Sequence, residues 1–209
     1  MKVYDISMEI REGMTVYKNK EGKKFKFVAT GSLENGANES KLYIESHTGT
    51  HADAYFHMLA KGKTMEKMDV GKFIGDCVVL DFSNKKDKIT VEDLSTKKIS
   101  SSIKKNDIVI LKTMKKPLKK WDGNYTYLDK TGAKYLAGKK VKCVGVENLS
   151  IERNSPNHDT HKILFNKDIP IIEGLEVCNV KAGRYFFVGL PLKIKGGDGS
   201  PIRAVLVEK

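Results

Sequence analysis

Six short apolar runs constrain this chain most. CVVLDF from Cys77, DIVILKT from Asp107, VKCVGVE from Val141, IPIIEGL from Ile169, RYFFVGLPLKI from Arg184 and AVLVE from Ala204 are built from β-branched and aliphatic residues. Several are continuous rather than alternating. A strand with one wet face alternates apolar and polar side chains, whereas an uninterrupted apolar run fits a strand covered on both faces. Helical signals fall between them. In TVEDLSTKKI, Thr90 is an N-cap candidate with Glu92 and Asp93 in the first turn. DKTGAKYLAGKK carries helix formers and ends near Gly138, and THKILFNK after Pro156 reads as a short helix. Strands interleaved with helices give an α/β fold with a mixed sheet.

The N-terminal stretch KVYDISMEI alternates at period two. KFKFVATG and KLYIES read as a strand pair across SLENGAN, where Asn35-Gly36 signals a turn. MKKPLKKWDGNYTYL reads as a surface loop with Trp121 packed on it. No linker divides the sequence, so residues 1–209 are expected to form a single domain.

A hydrophobic share of 40% with 31% charged residues suits a globular core and excludes general disorder. No apolar run approaches the roughly 18 residues of a membrane span, and the N-terminus carries acids and lacks the form of a signal peptide. Cys77, Cys143 and Cys178 each sit in an apolar run and form no CxxC pair, which fits buried free thiols in a reducing cytoplasm. The net charge of +12 raises the question of nucleic acid. Arginine, which reads bases and grips phosphate, is scarce, and the lysine runs GKKFK, NKKDK and MKKPLKK carry no interleaved aromatics. A solvated lysine surface is the expected reading, with no nucleic-acid and no membrane partner.

Histidine is used sparingly and in clusters. Three of five histidines lie in Ser46–His57, SHTGTHADAYFH, and the other two are His158 and His161. His47 and His51 are four apart and Asp53 follows two later. Two imidazoles and a carboxylate suit Zn²⁺, Mn²⁺ or Fe²⁺. The competing reading is a hydrogen-bonded polar turn without metal. Gly49 lets the segment turn tightly, and Thr50 is a candidate to hydrogen-bond backbone or a ligand carboxylate. His57 is either a further ligand or an unligated acid/base beside the ion. Glu173 ends the buried run PIIE, where a carboxylate is costly without a partner or a cation. His161 is either a ligand or a surface histidine, and His158, in the polar loop NSPNHD, is the spare.

HTGTHADAYFH resembles the HxGTHxDAPxH signature of the cyclase-like metal-dependent hydrolases, a family that includes bacterial arylformamidases (kynurenine formamidases) and isatin hydrolases. VGVENLSIE, HKILFNKDIPIIEGLEV and GLPLKIKGGDGSPIRAVLVEK resemble further segments of that family in the same order. The resemblance implies a swivelling β/β/α fold in a homodimer or homotetramer. It implies that His47, His51 and Asp53 hold one divalent metal, with Asp53 bridging to a second held by His161 and Glu173. Zn²⁺ is the first expectation and Mn²⁺ the second, with one or two ions per subunit. It implies His57 as catalytic acid/base and hydrolysis of a small amide, N-formylkynurenine to kynurenine and formate, by water activated at the metal. Three departures stand out. Tyr55 replaces a proline, which makes that loop bulkier and less rigid. VYKNKEGKK lacks the family's Pro-Gly-Asp-Pro-like turn near the substrate. Glu147 replaces an aspartate and is either an acid supporting the metal ligands or a strand-end polar residue, the second being the preferred reading.

Other readings stay open on the sequence: the same scaffold acting on an isatin-like lactam, another cyclic amide or an ester, a cyclase- or dehydratase-type activity in which His57 moves protons without adding water, or a metal- or small-molecule-binding protein without turnover.

Overall fold

The continuous apolar runs lie at the middle of one large sheet. The structure, a computed structural model, describes residues 1–208. In chain order the elements are β1 (Lys2–Asp5), β2 (Lys26–Ala29), β3 (Ser40–Tyr43), β4 (His51–Asp53), β5 (Ile74–Asp81), β6 (Lys88–Ile89), α1 (Val91–Leu94), α2 (Lys97–Ser102), β7 (Ile108–Lys112), β8 (Tyr127–Leu128), α3 (Lys130–Gly138), β9 (Cys143–Val146), α4 (Asp159–Phe165), β10 (Ile171–Glu173), β11 (Gly183–Val188), β12 (Gly199–Pro201) and β13 (Val205–Glu208).

Nine strands make the main sheet in the order β1-β13-β11-β5-β7-β9-β10-β4-β12. Its centre, β5-β7-β9-β10, is parallel, and both wings are antiparallel. The fold is therefore the mixed α/β architecture that the sequence implies. Ile108, Val109, Ile110 and Leu111 of β7 are all fully buried, so consecutive side chains on opposite faces both meet core. One contiguous hydrophobic cluster runs through this centre, and Met14, Val16 and Phe25 form a small satellite. All three cysteines are free and buried. No helix among the described residues is long and apolar enough to cross a membrane.

The local signals translate closely. Asp93 accepts from the Thr90 N–H and opens α1, and Asp129 accepts from two N–H groups of the first turn of α3. β2 and β3 pair antiparallel, as the turn at Asn35-Gly36 predicts. Two elements differ. The run RYFFVGLPLKI is a strand only to Val188, because Pro191 has no N–H to give a ladder, and Leu190 and Leu192 beyond it are exposed. The loop from Met114 ends in the two-residue strand β8, paired parallel with β6.

The far wing positions the histidines. β4 is inserted between β10 and β12, segments more than a hundred residues later in the chain. Its register sets His51 opposite Glu173 and Asp53 opposite Gly199.

Candidate metal centre and active site

His51 and Asp53 lie two apart on β4, so they project to the same face, and Glu173 is the cross-strand neighbour of His51. A strand, rather than the turn suggested by the glycine and threonine spacing, thus orders this part of the cluster. The turn itself comes just before. Gly49 has φ of 60°, and Gly174, just after β10, has φ of 71°. A Cβ on Gly174 would stand 2.3 Å from the Gly49 carbonyl oxygen, so only glycine lets the two backbones approach. Thr50 ties the same junction: its hydroxyl donates to the Gly174 carbonyl and accepts from the Met8 N–H.

The structure brings His47, His51, Asp53, His57, His161 and Glu173 into one group. His51 Nε2 lies 3.6 Å from both Asp53 Oδ1 and Glu173 Oε2. His161 Nε2, from α4, lies 3.7 Å from Asp53 Oδ2 and 3.4 Å from Glu173 Oε1. His47 Nδ1 is 2.9 Å from Asp53 Oδ1, and its ring centroid is 4.0 Å from that of His57. Asp53 and Glu173 are almost wholly buried, whereas the His57 side chain, on the short 3-10 turn Tyr55–His57, keeps 26% exposure. The innermost residues are sealed and His57 faces the opening.

The donor set fits a divalent ion. Both Asp53 oxygens are buried without an aligned hydrogen bond, the nearby His47 nitrogen being close but out of line. Two buried carboxylates facing each other are costly without a cation between them. His51 Nδ1 lies 2.8 Å from the Gly49 carbonyl. Donation there fixes the tautomer and leaves the Nε2 lone pair facing Asp53 and Glu173. His51, Asp53 and Glu173 form one set of potential ligands within 4.8 Å of one another, and His47, Asp53 and His57 form another.

Electrostatics follow from these contacts. Burial disfavours charge on His47, but Asp53 and Asp198 outweigh it and push its pKa up to about 9. Burial likewise opposes charge on His161, and Glu152 and Glu173 overcome it, pushing it up to about 10. Glu173 is held well below the usual carboxylate range by His161 and His51 despite its burial. His57 goes the other way: burial and the neighbouring His47 lower its pKa, so the ring is neutral at pH 7.

Two acids of the site carry no signal in the local sequence. Asp198 Oδ2 lies 3.0 Å from His47 Nε2 and 3.8 Å from His57 Nδ1, and its other oxygen accepts from the Ser46 hydroxyl at 2.8 Å. Gly199 beside it is needed, since a Cβ there would stand 2.8 Å from His47 Cε1. Glu152, also buried, lies 2.9 Å from His161 Nδ1 and 2.6 Å from His158 Nδ1. His158 is therefore not a spare loop residue: it joins Glu152 and His161 in a third potential ligand group.

Two of the three departures also resolve. Tyr55 points into the core, packs on Phe165 at 5.5 Å and faces Asp168, so packing holds the loop that proline would have stiffened. Glu147 accepts from the backbone N–H groups of Thr113 and Met114 and brackets the end of β7, and burial pushes its pKa up to about 7.

Comparison with known proteins gives consistent relatives. The sequence model of a family described as putative cyclase matches residues 4–153. A kynurenine formamidase of Erythrobacter litoralis is 29% identical over 99% of this chain and 94% of its own length. A solved structure described as a potential metal-dependent hydrolase with cyclase activity is 38% identical, with a TM-score of 0.89 over 98% of this chain and 96% of that one. Isatin hydrolase A from Labrenzia aggregata shares the fold at 18% identity, with a TM-score of 0.87 over 100% of this chain and 94% of that one.

Proposed function

The chain belongs to the cyclase family, and from that premise we propose that it is a metal-dependent hydrolase of a small amide, arylformamidase-like, taking N-formylkynurenine to kynurenine and formate. The observation that carries this reading is the convergence of Asp53 and Glu173, buried and facing each other, with His51 and His161, beside a half-open His57. His47, His51 and Asp53 would hold one ion, and Asp53, His161 and Glu173 would hold a second. Zn²⁺ is the first candidate for these nitrogen and oxygen ligands and Mn²⁺ the second. A divalent ion bound there lowers the pKa of water from ~16 toward ~7 and polarises a carbonyl.

The remaining chemistry belongs to the chain. His57, neutral because burial lowers its pKa, accepts the proton of the attacking water and returns it to the leaving nitrogen. Asp198 accepts from His47 Nε2 at 3.0 Å and lies 3.8 Å from His57 Nδ1, which keeps a carboxylate beside the ring as it takes up the proton. Closure of β4 against β10 keeps bulk water from the inner carboxylates. The same reading takes residues 1–209 as one hydrolase domain, cytoplasmic and working as a homodimer or homotetramer. The exposed apolar side chains Phe27, Val28, Leu42 and Tyr43 on the β2–β3 hairpin support a subunit contact.

The test is hydrolysis of N-formyl-L-kynurenine, followed by absorbance, with protein loaded separately with Zn²⁺ and Mn²⁺. Turnover that a chelator abolishes, and that falls by roughly 10²–10⁴-fold in His57→Ala with metal still bound, is expected. Loss of metal in His57→Ala with normal turnover on resupply would sink the role given to His57. Absence of turnover in metal-loaded wild type would remove this substrate.

A further inference from the structure

The starts of the four parallel strands open onto a second cleft, away from the metal centre. Lys72 precedes β5, Asn106 precedes β7, Lys142 precedes β9 and Ile169 precedes β10, whereas Glu173 stands at the far end of β10. The cleft has a volume of about 900 Å³, within the usual range of a small-molecule site. Six of its fourteen lining residues are lysines, and the one acid among them is Asp69. Lysine and arginine together make 38 of the chain's 209 residues, so the cleft is richer in cations than an even spread would make it. Its loops are tied to one another. The Asn106 N–H donates to the Lys140 carbonyl at 3.0 Å and the Lys142 N–H to the Asp107 carbonyl at 2.7 Å. Asn106 and Lys140 hold left-handed φ of 65° and 56°, a conformation that persists away from glycine where the surroundings impose it.

The lysines differ in what they meet. Lys72 pairs with Asp168 at 2.8 Å, and Lys142 Nζ donates to the Ile74 carbonyl at 3.0 Å. Asp69 accepts from the Gly71 N–H at 2.9 Å and so caps its own turn. Lys105, Lys134, Lys140 and Lys167 are exposed and form no ion pair among the described residues. Helices α3 and α4 both end at this cleft, and a bare helix C-terminus attracts cations. Here the last carbonyls are already taken. Those of Leu136 and Ala137 accept from Val141 and Lys140, and those of Leu164 and Phe165 accept from Ile169 and Asp168. The four ammonium groups are therefore not capping donors. Between them lies an apolar floor of half-buried Ala137 and Ile163 beside buried Val141 and Ile169.

We propose that this cleft binds a nucleoside polyphosphate, with its base on Ala137 and Ile163 and its phosphates on Lys105, Lys134, Lys140 and Lys167. Four unpaired ammonium groups around one cavity answer to a chain of phosphates rather than to a single carboxylate, and lysine serves phosphate well as a point charge. The apolar floor gives a base a surface to leave water on. Lysines drawn from separate loops into one bowl also favour a small ligand over a long polyanion, which needs an extended stripe. The inference does not depend on the amide-hydrolase reading, because the cleft shares no residue with the metal centre.

Full-length protein, chelator-treated and desalted so that phosphate has no metal ion to dock on, is titrated by calorimetry with ATP and with inorganic tripolyphosphate. Salt is held at about 0.15 M, where charges more than about 8 Å away are screened. One saturable ATP site is expected, about fivefold tighter or more than the site for tripolyphosphate, because the base adds apolar burial. Lys134→Glu combined with Lys140→Glu should weaken ATP by about tenfold or more, since two attractions become repulsions. Lys86→Glu combined with Lys98→Glu makes the same charge change at exposed positions outside the cleft and should leave the affinity within about twofold. Ile163→Ser should weaken ATP by about threefold or more and leave tripolyphosphate unchanged. All four lysines are exposed, so these charge variants read recognition rather than folding even if Ile163→Ser loosens α4. ATP binding that does not saturate, or equal losses in the two lysine pairs, overturns the proposal. Tripolyphosphate that binds as tightly as ATP overturns it as well, because the floor would then take no part.

Discussion

Glu152→Gln should weaken metal binding, and by an amount that depends on pH in a predictable direction. Glu152 is buried, lies 2.9 Å from His161 Nδ1, and accepts the Thr160 N–H at 3.0 Å. Glutamine keeps the volume and the acceptor for Thr160 but removes the negative charge behind the imidazole. A carboxylate in that position raises the basicity of the ligating nitrogen, and its loss costs about 10–100-fold in metal affinity, roughly 1.4–2.7 kcal/mol. The same carboxylate also raises the affinity of His161 for a proton, which competes with the metal and contributes to a pKa of about 10. Removing it relieves that competition. The two effects oppose each other at low pH, where protonation dominates, and the metal term stands alone as pH approaches 10. The deficit of the variant should therefore be smallest near pH 6.5 and grow toward pH 9. Competition with a colorimetric Zn²⁺ chelator across that range measures it. Equal affinities for variant and wild type at every pH would refute the positioning of His161 by Glu152.

Metal binding should also release protons. His47 and His161 have raised pKa values of about 9 and 10, so both are charged in metal-free protein at pH 7.5 and must become neutral to ligate. Calorimetry in buffers of different ionisation enthalpy should show about two protons released per filled site pair, falling as pH rises through 9 to 10; no release at pH 7.5 would contradict the charge states. Gly174→Ala should destabilise the protein by at least about 2 kcal/mol, since it combines a positive φ of 71° with a Cβ 2.3 Å from the Gly49 oxygen. Thermal melts that superimpose on wild type would show that the junction gives way freely. Glu147 has a folded pKa of about 7 against an ordinary 4.5. Because the folded value is raised, its contribution is full below about pH 4.5 and is lost as pH rises through 7, about 3 kcal/mol in all. The stability difference between Glu147→Gln and wild type should therefore change across that window, as read by urea unfolding, and a constant difference would refute it.

The parts of this molecule that were legible in the sequence are those set by neighbours along the chain. The fully buried β7 follows from IVIL, because only a strand covered on both faces tolerates such a run. The capped start of α1 follows from Thr90 and Asp93. His51 and Asp53 share a face through their two-residue spacing, and Glu173 announces a partner by ending an apolar run. What was not legible depends on strand order. Nothing in the sequence places β4 between β10 and β12, and that placement brings Asp198 to His47 across 151 positions. Glu152 sits in the unpatterned tripeptide IER, and only the fold turns it toward His161. Tyr55 reads as bulk in the active-site loop until the packing on Phe165 shows it facing inward.

The choice of histidine itself then has a physical explanation. The chain holds 38 lysines and arginines, and surface acids such as Asp168, Asp93 and Asp5 pair with them. The four acids of the site pair otherwise. Among the described residues, every ion pair of Asp53, Glu173, Glu152 and Asp198 is with a histidine. A lysine there would neutralise the carboxylates permanently at neutral pH, because its ammonium does not give up its proton in competition with a metal at reasonable cost. An imidazole can carry the charge in the metal-free protein, lose it on metal entry, and offer the same nitrogen as a ligand. Excluding lysine from one buried cluster in a chain of net charge +12 keeps the carboxylates available to a divalent cation.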